Sequence, residues 1–179
     1  AEPYTVFGLE SYFYNEESWG MEGQISGQSL DSTSGTEFVQ ISIQRKSDDK
    51  FFNGSGWTTP ETWNTAIGTS EWSYSFSSDI LQNSVAYEIN TRSVDVAGNV
   101  ESVTVVDSLR YDTELPISSV SMASDFYSLS TWARDSSVAG FARDTISGLS
   151  FVELQIFHPV DTSWWSGEEW VDELTWFTA

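Results

Sequence analysis

Phe38-Val39-Gln40-Ile41-Ser42-Ile43-Gln44 alternates apolar and polar residues without a break. A period of two puts Val39, Ile41 and Ile43 on one face of an extended strand and Gln40, Ser42 and Gln44 on the other. Such a strand buries one face against a second layer, so the stretch reads as part of a β-sandwich. Outward from it, Glu71-Trp72-Ser73-Tyr74-Ser75-Phe76 repeats the pattern with aromatic residues inside. Residues 85–94 and 102–109 supply further strands, the second with Val103 and Val105 on one face. Between those two lies Asp95-Val96-Ala97-Gly98-Asn99, whose Gly and Asn tolerate positive φ and whose Asp can bond its own backbone, which predicts a hairpin. Residues 23–27 predict an early strand and residues 31–35 a polar turn before the Phe38 strand. No segment carries a 3.6-residue period over three turns.

The chain also resembles itself. A shift of 113 positions lays Pro3 on Pro116, Tyr14 on Tyr127, Trp19 on Trp132, Gly27 on Gly140 and Asp31 on Asp144. It continues without a gap through Gly35 on Gly148, Phe38-Val39 on Phe151-Val152, Ile43 on Ile156, Asp48 on Asp161, Gly54 on Gly167, Trp57 on Trp170, Trp63 on Trp176 and Ala66 on Ala179. Roughly a quarter to a third of the overlapped positions are identical, a self-similarity that marks repeat architecture. The expected organisation is an all-β, immunoglobulin-like β-sandwich in tandem, with one repeat over residues 1–113 and a second over 114–179 whose C-terminal strands are missing. Tyr111-Asp112-Thr113-Glu114-Leu115-Pro116 reads as a short, semi-rigid linker between them. The second copy lacks counterparts of the Trp72, Tyr87 and Val103 strands, which predicts open inner faces at Val152, Leu154 and Ile156. Either those strands continue beyond Ala179 in a longer chain, or a neighbouring subunit supplies them by donor-strand complementation.

Composition narrows the function. The chain has 179 residues, 39% of them hydrophobic and 15% aromatic, which is enough apolar material for packed cores. Its 27 acidic residues against 7 basic ones give a formal charge of -20, which repels phosphate backbones and anionic membrane surfaces. Nucleic acid is therefore excluded as a partner, and no apolar run long enough to span a bilayer predicts membrane insertion. Cysteine is absent, so disulfides, thiol nucleophiles and thiolate metal sites are excluded. Ala1-Glu2-Pro3 has neither the basic nor the apolar region of a secretory signal, so a signal is expected to have been removed or the chain to come from a longer one.

Three groups of side chains invite a functional reading. The Trp-rich stretch from Lys50 to Trp63 is echoed from Ser163 to Trp176, and Trp57, Trp63, Trp170 and Trp176 have the chemistry to stack on sugar rings or form an adhesive patch. The competing reading is a hairpin that folds back over an open end of the sandwich and buries its own indoles. Asp31, Asp95, Asn99, Glu101, Asp112 and Glu114 are oxygen donors in or near turns, and calcium is the one cofactor they suggest. Local hydrogen bonding explains Asp and Asn in turns equally well. His158, the single histidine, aligns with Arg45 and is expected at a surface strand edge, while Asn53-Gly54-Ser55 reads as a turn rather than a glycosylation site. With one histidine and no Gly-x-Ser-x-Gly elbow, a hydrolase is disfavoured and the chain reads as non-enzymatic.

The Asp-x-x-Ser-Gly turn of Asp31 to Gly35, the Phe38 strand, and Arg92-Ser93-Val94-Asp95-Val96-Ala97-Gly98-Asn99-Val100-Glu101 together resemble the bacterial and archaeal Ig-like repeats found in tandem in large secreted and cell-surface proteins. The resemblance covers the whole first copy. The second retains Pro116 and the Ser147-Gly148 turn. It implies an extracellular or cell-surface structural protein, a repeat unit of a stalk, adhesin or filament, whose partners are further repeats or other copies of itself. The alternatives are a cell-adhesion module that binds polysaccharide or a surface protein through the Trp-rich hairpin, and a filament subunit that polymerises through its incomplete repeat.

Overall fold

The computed structural model describes residues 2–102, 104–122, 128, 130, 132 and 137–179. Val103, Tyr127 and the side chain of Val105 lie outside the described residues. The chain divides into two compact units, Ala1–Thr113 and Glu114–Ala179.

The first unit is a sandwich of two sheets. Strands β1 (Tyr4–Phe7), β3 (Gln24–Leu30), β9 (Glu71–Ser75) and β8 (Ile67–Gly68) form one sheet in the order β1-β3-β9-β8. The other runs β2 (Phe13–Tyr14), β11 (Thr104–Tyr111), β10 (Ala86–Asp95), β4 (Thr36–Arg45), β5 (Lys50–Phe52), β6 (Trp57–Thr58), with β7 (Asn64–Thr65) also paired to β4. All pairings are antiparallel except β2 with β11. With β1, β3, β9 and β8 in one layer and β11, β10 and β4 in the other, this is the immunoglobulin-like strand order. Strands β3, β4, β9, β10 and β11 fall where the sequence placed strands, and the short β5, β6 and β7 are edge pieces that carry the Trp-rich stretch along the margin of β4.

Alternation places the core as expected. Val39, Ile41 and Ile43 are fully buried between the layers, together with Ile25, Tyr87, Ile89 and Leu109. The outer face of β4 is not open to solvent, however. Ser42 is fully buried there and donates to the Glu61 carboxylate at 3.3 Å, because the segment after β6 lies over it.

Besides a 3-10 turn at Ser78–Ile80, a longer helix departs from the all-strand reading. Residues Glu16–Glu22 form a helix, α1, capped by reciprocal bonds in which Ser18 N–H donates to Asn15 Oδ1 at 2.8 Å and Asn15 N–H donates to Ser18 Oγ at 2.9 Å. It ends at Gly23, whose φ of 52° lies in the left-handed region. Seven residues are too few to display helical periodicity, so the cap alone signals it. The helix delivers Trp19 to the core, where the indole N–H donates to the Phe76 carbonyl at 2.7 Å and the ring meets Tyr14 and Phe76 edge-on.

The second unit consists, among the described residues, of β12 (Ile117–Ser121) paired with β13 (Ala139–Arg143), β14 (Glu153–Leu154) with β18 (Phe177–Thr178), and the meander β15 (Phe157–His158), β16 (Ser163–Trp165), β17 (Trp170–Val171). Every one of these registers is a register of the first unit moved by 113 positions. Phe7 opposite Gly27 becomes Val120 opposite Gly140, Gln40 opposite Thr65 becomes Glu153 opposite Thr178, and Phe52 opposite Trp57 becomes Trp165 opposite Trp170. Even the unusual positive φ of Asp49, 55°, recurs at Thr162, 54°. Burial does not carry over. Val152, Leu154 and Ile156 are partly exposed, whereas Val39, Ile41 and Ile43 are sealed.

Replacing Trp19 by Ala is expected to lower the stability of the first unit by about 3–5 kcal/mol, as for other large-to-small changes at a packed aromatic. Urea unfolding followed by circular dichroism measures it, and a loss below about 1 kcal/mol would show that Trp19 is not a core residue.

Candidate functional site

The acidic turn residues form latches within the sandwich. Asp31 Oδ1 accepts backbone N–H bonds from Thr33, Ser34 and Gly35 at 2.9, 2.6 and 3.0 Å. Asp95, fully buried at the start of the β10–β11 hairpin, accepts from Asn99 N–H and Asn99 Nδ2, each at 2.7 Å. The Ser34 hydroxyl sits between them, donating to Asp95 Oδ2 at 2.8 Å and lying 3.2 Å from Asp31 Oδ1. Val96 N–H donates to the Gly35 carbonyl, which joins the two turns through the backbone as well. The backbone donors, led by Ser34, hold the Asp31 carboxyl below its usual range. The Asn99 side chain does the same for Asp95. Both effects are hydrogen bonding to the charged form.

Glu101 does a different job. Its Oε1 accepts from Thr5 N–H on β1 at 2.8 Å, and its Oε2 from Ser93 N–H and the Ser93 hydroxyl on β10 at 2.9 and 3.0 Å. One carboxylate thus ties the two sheets together, beside a Thr5–Thr91 hydroxyl contact of 2.8 Å. Asp112 is buried near the end of the first unit, and its N–H donates to the Tyr14 carbonyl. Glu114 belongs to the second unit and accepts from the Thr145 hydroxyl at 2.9 Å. Within the first unit the structure brings Asp31, Asp95 and Asn99 together, while Glu101 bonds Thr5 and Ser93. Among the described residues no group of three or more carboxylate or histidine side chains is gathered to hold a metal ion. Backbone and hydroxyl donors occupy the oxygens of Asp95 and Glu101.

The Trp-rich hairpin straddles the edge of the second sheet. On the inner side Trp57 meets Phe52 and Tyr87 at 5.6 Å and Phe76 at 6.5 Å between centroids. The Arg45 guanidinium lies over its ring at 4.5 Å and also forms a paired bond with Asp48, whose carboxyl it holds far below the usual range. On the outer side Trp63 lies under the Arg92 guanidinium at 4.1 Å, and Arg92 Nε donates to Gln40 Oε1 at 2.8 Å. Trp57 and Trp63 thus each have a face covered by a cation, and both are half-buried. Asn53 Oδ1 accepts from Ser55 and Gly56 N–H, closing the turn read from Asn53-Gly54-Ser55.

The second unit repeats the scaffold of these features without their cover. Asp144 Oδ1 accepts from Ile146, Ser147 and Gly148 N–H at 3.0, 2.8 and 2.9 Å, and these bonds lower its carboxyl pKa, with Gly148 the largest cause. His158 takes the place of Arg45 and bonds Asp161 through Nδ1 as Arg45 bonds Asp48. Trp170 and Trp176 are 47% and 53% exposed. Of the partners that give these sites their character, Glu61 and Thr91 were not singled out from sequence, and Ser34 and Arg92 were named only as parts of motifs. No family model matches the chain, and no curated protein matches it.

Two outcomes follow from this geometry. A carboxyl whose folded pKa lies below its unfolded value of about 3.9 contributes stability that is present above that pH and lost as pH falls through the folded pKa. Asp95→Asn should therefore make the first unit less stable at neutral pH and flatten its acid-side loss of stability, as read from melting temperature between about pH 5 and 2. An unchanged acid profile would remove Asp95 from the latch. Trp57→Ala should cost about 2 kcal/mol by opening the core margin, and Trp63→Ala about 1 kcal/mol by releasing Arg92. Polysaccharide retention that falls while both variants keep their melting temperatures would instead make these indoles a binding surface.

Proposed function

We propose that the chain is a non-catalytic structural module of an extracellular or cell-surface protein, a repeat unit of a stalk, adhesin or filament. The observation that carries this reading is the recurrence of one scaffold at an offset of 113 residues, in strand register, in the Asp31 and Asp144 turns and in the Trp-bearing meanders. Repetition of a scaffold whose chemically distinctive side chains are spent on its own turns suits a part that is stacked in series. The perturbed carboxyls of Asp31, Asp95 and Asp144 fit that role, since each is lowered by a donor from its own turn rather than poised toward a cleft. A net charge of -20 suits a surface that must stay solvated and resist nonspecific contact with anionic polymers.

Antibodies raised against the first unit test the proposal on cells of the source organism. They should label intact cells or the culture medium, and brief protease treatment of intact cells should remove the signal. Labelling that appears only after permeabilisation would overturn the extracellular assignment.

A further inference from the structure

Strands β3 and β4 carry the same pattern, Gln-Ile-Ser-x-Gln, at residues 24–28 and 40–44. On β4 all three polar side chains are used within the chain. Gln40 accepts from Arg92 Nε at 2.8 Å, Ser42 donates to Glu61 at 3.3 Å, and Gln44 accepts from Lys46 Nζ at 2.7 Å. On β3 the side chains of Gln24, Ser26 and Gln28 are exposed and have no hydrogen-bond partner among the described residues. The hydroxyls of Ser73 and Ser75, opposite Ser26 and Gln24 on β9, are unpaired in the same way. The scaffold does not impose this polar row. At the offset of 113 it becomes Ser137, Ala139 and Phe141, although β13 keeps the register with β12 that β3 has with β1.

The row crosses the outer face of the first sheet. Tyr4, Val6, Leu30 and Ile67 frame it, each at least half exposed. Two adjoining hollows run along it, one of about 420 Å³ beside Ser26, Gln28 and Ser73, the other of about 440 Å³ beside Gln28, Leu30 and Ser70, with Glu71 bordering both. Both volumes lie in the range of small-ligand sites. Charge is nearly absent. Every lysine and arginine of the first unit, Arg45, Lys46, Lys50, Arg92 and Arg110, lies in or beside the second sheet, and Glu71 is the one charged residue that β1, β3, β8 and β9 contain.

We propose that this face binds a neutral polysaccharide laid along β3 from Gln24 to Leu30, a span of about 20 Å at roughly 3.3 Å per residue. Side-chain amides and hydroxyls both donate and accept, so they match sugar hydroxyls in either sense, and Tyr4 supplies an exposed ring for stacking. A protein strand has little edge to join. Thr5 N–H on β1 is already given to Glu101 Oε1 at 2.8 Å, and β8 at the opposite edge is two residues long. A second copy would need about 800 Å² per partner for a standard interface, whereas four strands about 4.8 Å apart and about 20 Å long present roughly 400 Å². An anionic polymer meets Glu71 and no cation on these strands. The inference goes beyond the structural-module reading and does not rest on it, so either can fail alone.

Native affinity electrophoresis of the full 179-residue chain tests the proposal, in gels containing glucomannan or hydroxyethylcellulose, with polygalacturonate as the charged control. Retardation is expected in a neutral gel and not in polygalacturonate. A chain carrying both Gln24→Ala and Gln28→Ala should bind roughly tenfold more weakly, as for loss of two hydrogen-bonding groups, and melt at the unchanged temperature. Gln44→Ala, on the other sheet, should bind as the parent does. In the unaltered chain, amide shifts induced by cellotetraose should fall on residues 24–30 and 71–75, a readout that needs no substitution. No retardation in either neutral gel, equal retardation in polygalacturonate, or shifts confined to other residues would overturn the proposal. Binding kept by the double variant but lost in Trp57→Phe or Trp63→Phe would overturn it in favour of the Trp-rich hairpin. A dimer in light scattering that Val6→Glu dissociates would make a second copy the occupant and overturn it as well.

Discussion

The contact of Trp72 with the bare backbone of Gly27 is the constraint on which the rest of the sandwich depends. Only a residue without a Cβ lets β3 approach both the Val6 carbonyl and the indole. The indole in turn packs edge-on against Phe7 at 5.9 Å. From the same strand, Phe76 continues the aromatic packing toward Trp19, Phe52, Trp57 and Tyr87. Rings from α1, β5, β6 and β10 and the residue just after β9 thus share one cluster. Such edge-to-face contacts add about 0.5–1.5 kcal/mol per pair beyond burial. In a chain without cysteine this cluster joins elements of both layers with no disulfide.

Polar latches act at the periphery of that cluster. The Asp31–Ser34–Asp95 arrangement joins two turns, and Glu101 links β1 to β10 across the layers. Asp95, the fully buried carboxylate, has donors at both oxygens, which is the condition for burying charge without loss of stability. The acidity of the sequence is therefore of two kinds. A few carboxylates are structural parts, and the remainder solvate the surface.

The sheets were legible in the sequence because one-sided burial leaves a period of two, and Phe38 to Gln44 shows it cleanly. The offset of 113 was legible because the same turns and close approaches demand the same residues, Gly27 and Gly140 above all. Helix α1 was not, since seven residues leave no period and the Asn15–Ser18 cap is a single local signal. The role of Glu101 depends on an amide of Thr5 nearly the whole unit away in sequence, and that of Trp63 on Arg92, so neither can be read from spacing. The bonding of Asp31 was hidden for a related reason: a carboxylate in a turn is the same letter whether it faces solvent or the amides of its own loop.

The two units separate what a scaffold is from what completes it. The same registers, turns and Trp meander exist in both, yet the strand that runs unbroken over Thr36–Arg45 is reduced in the second unit to the pairs Glu153–Leu154 and Phe157–His158. What differs are the strands β9 and β10, which extend one sheet each in the first unit. Native-state hydrogen exchange of the full chain tests this most directly. Amides of residues 39–43 should exchange only through global unfolding, and those of residues 152–156 at least roughly a hundredfold faster through local opening. Equal protection of the two stretches would contradict the central claim that strands β9 and β10, one in each sheet, are what seal the scaffold.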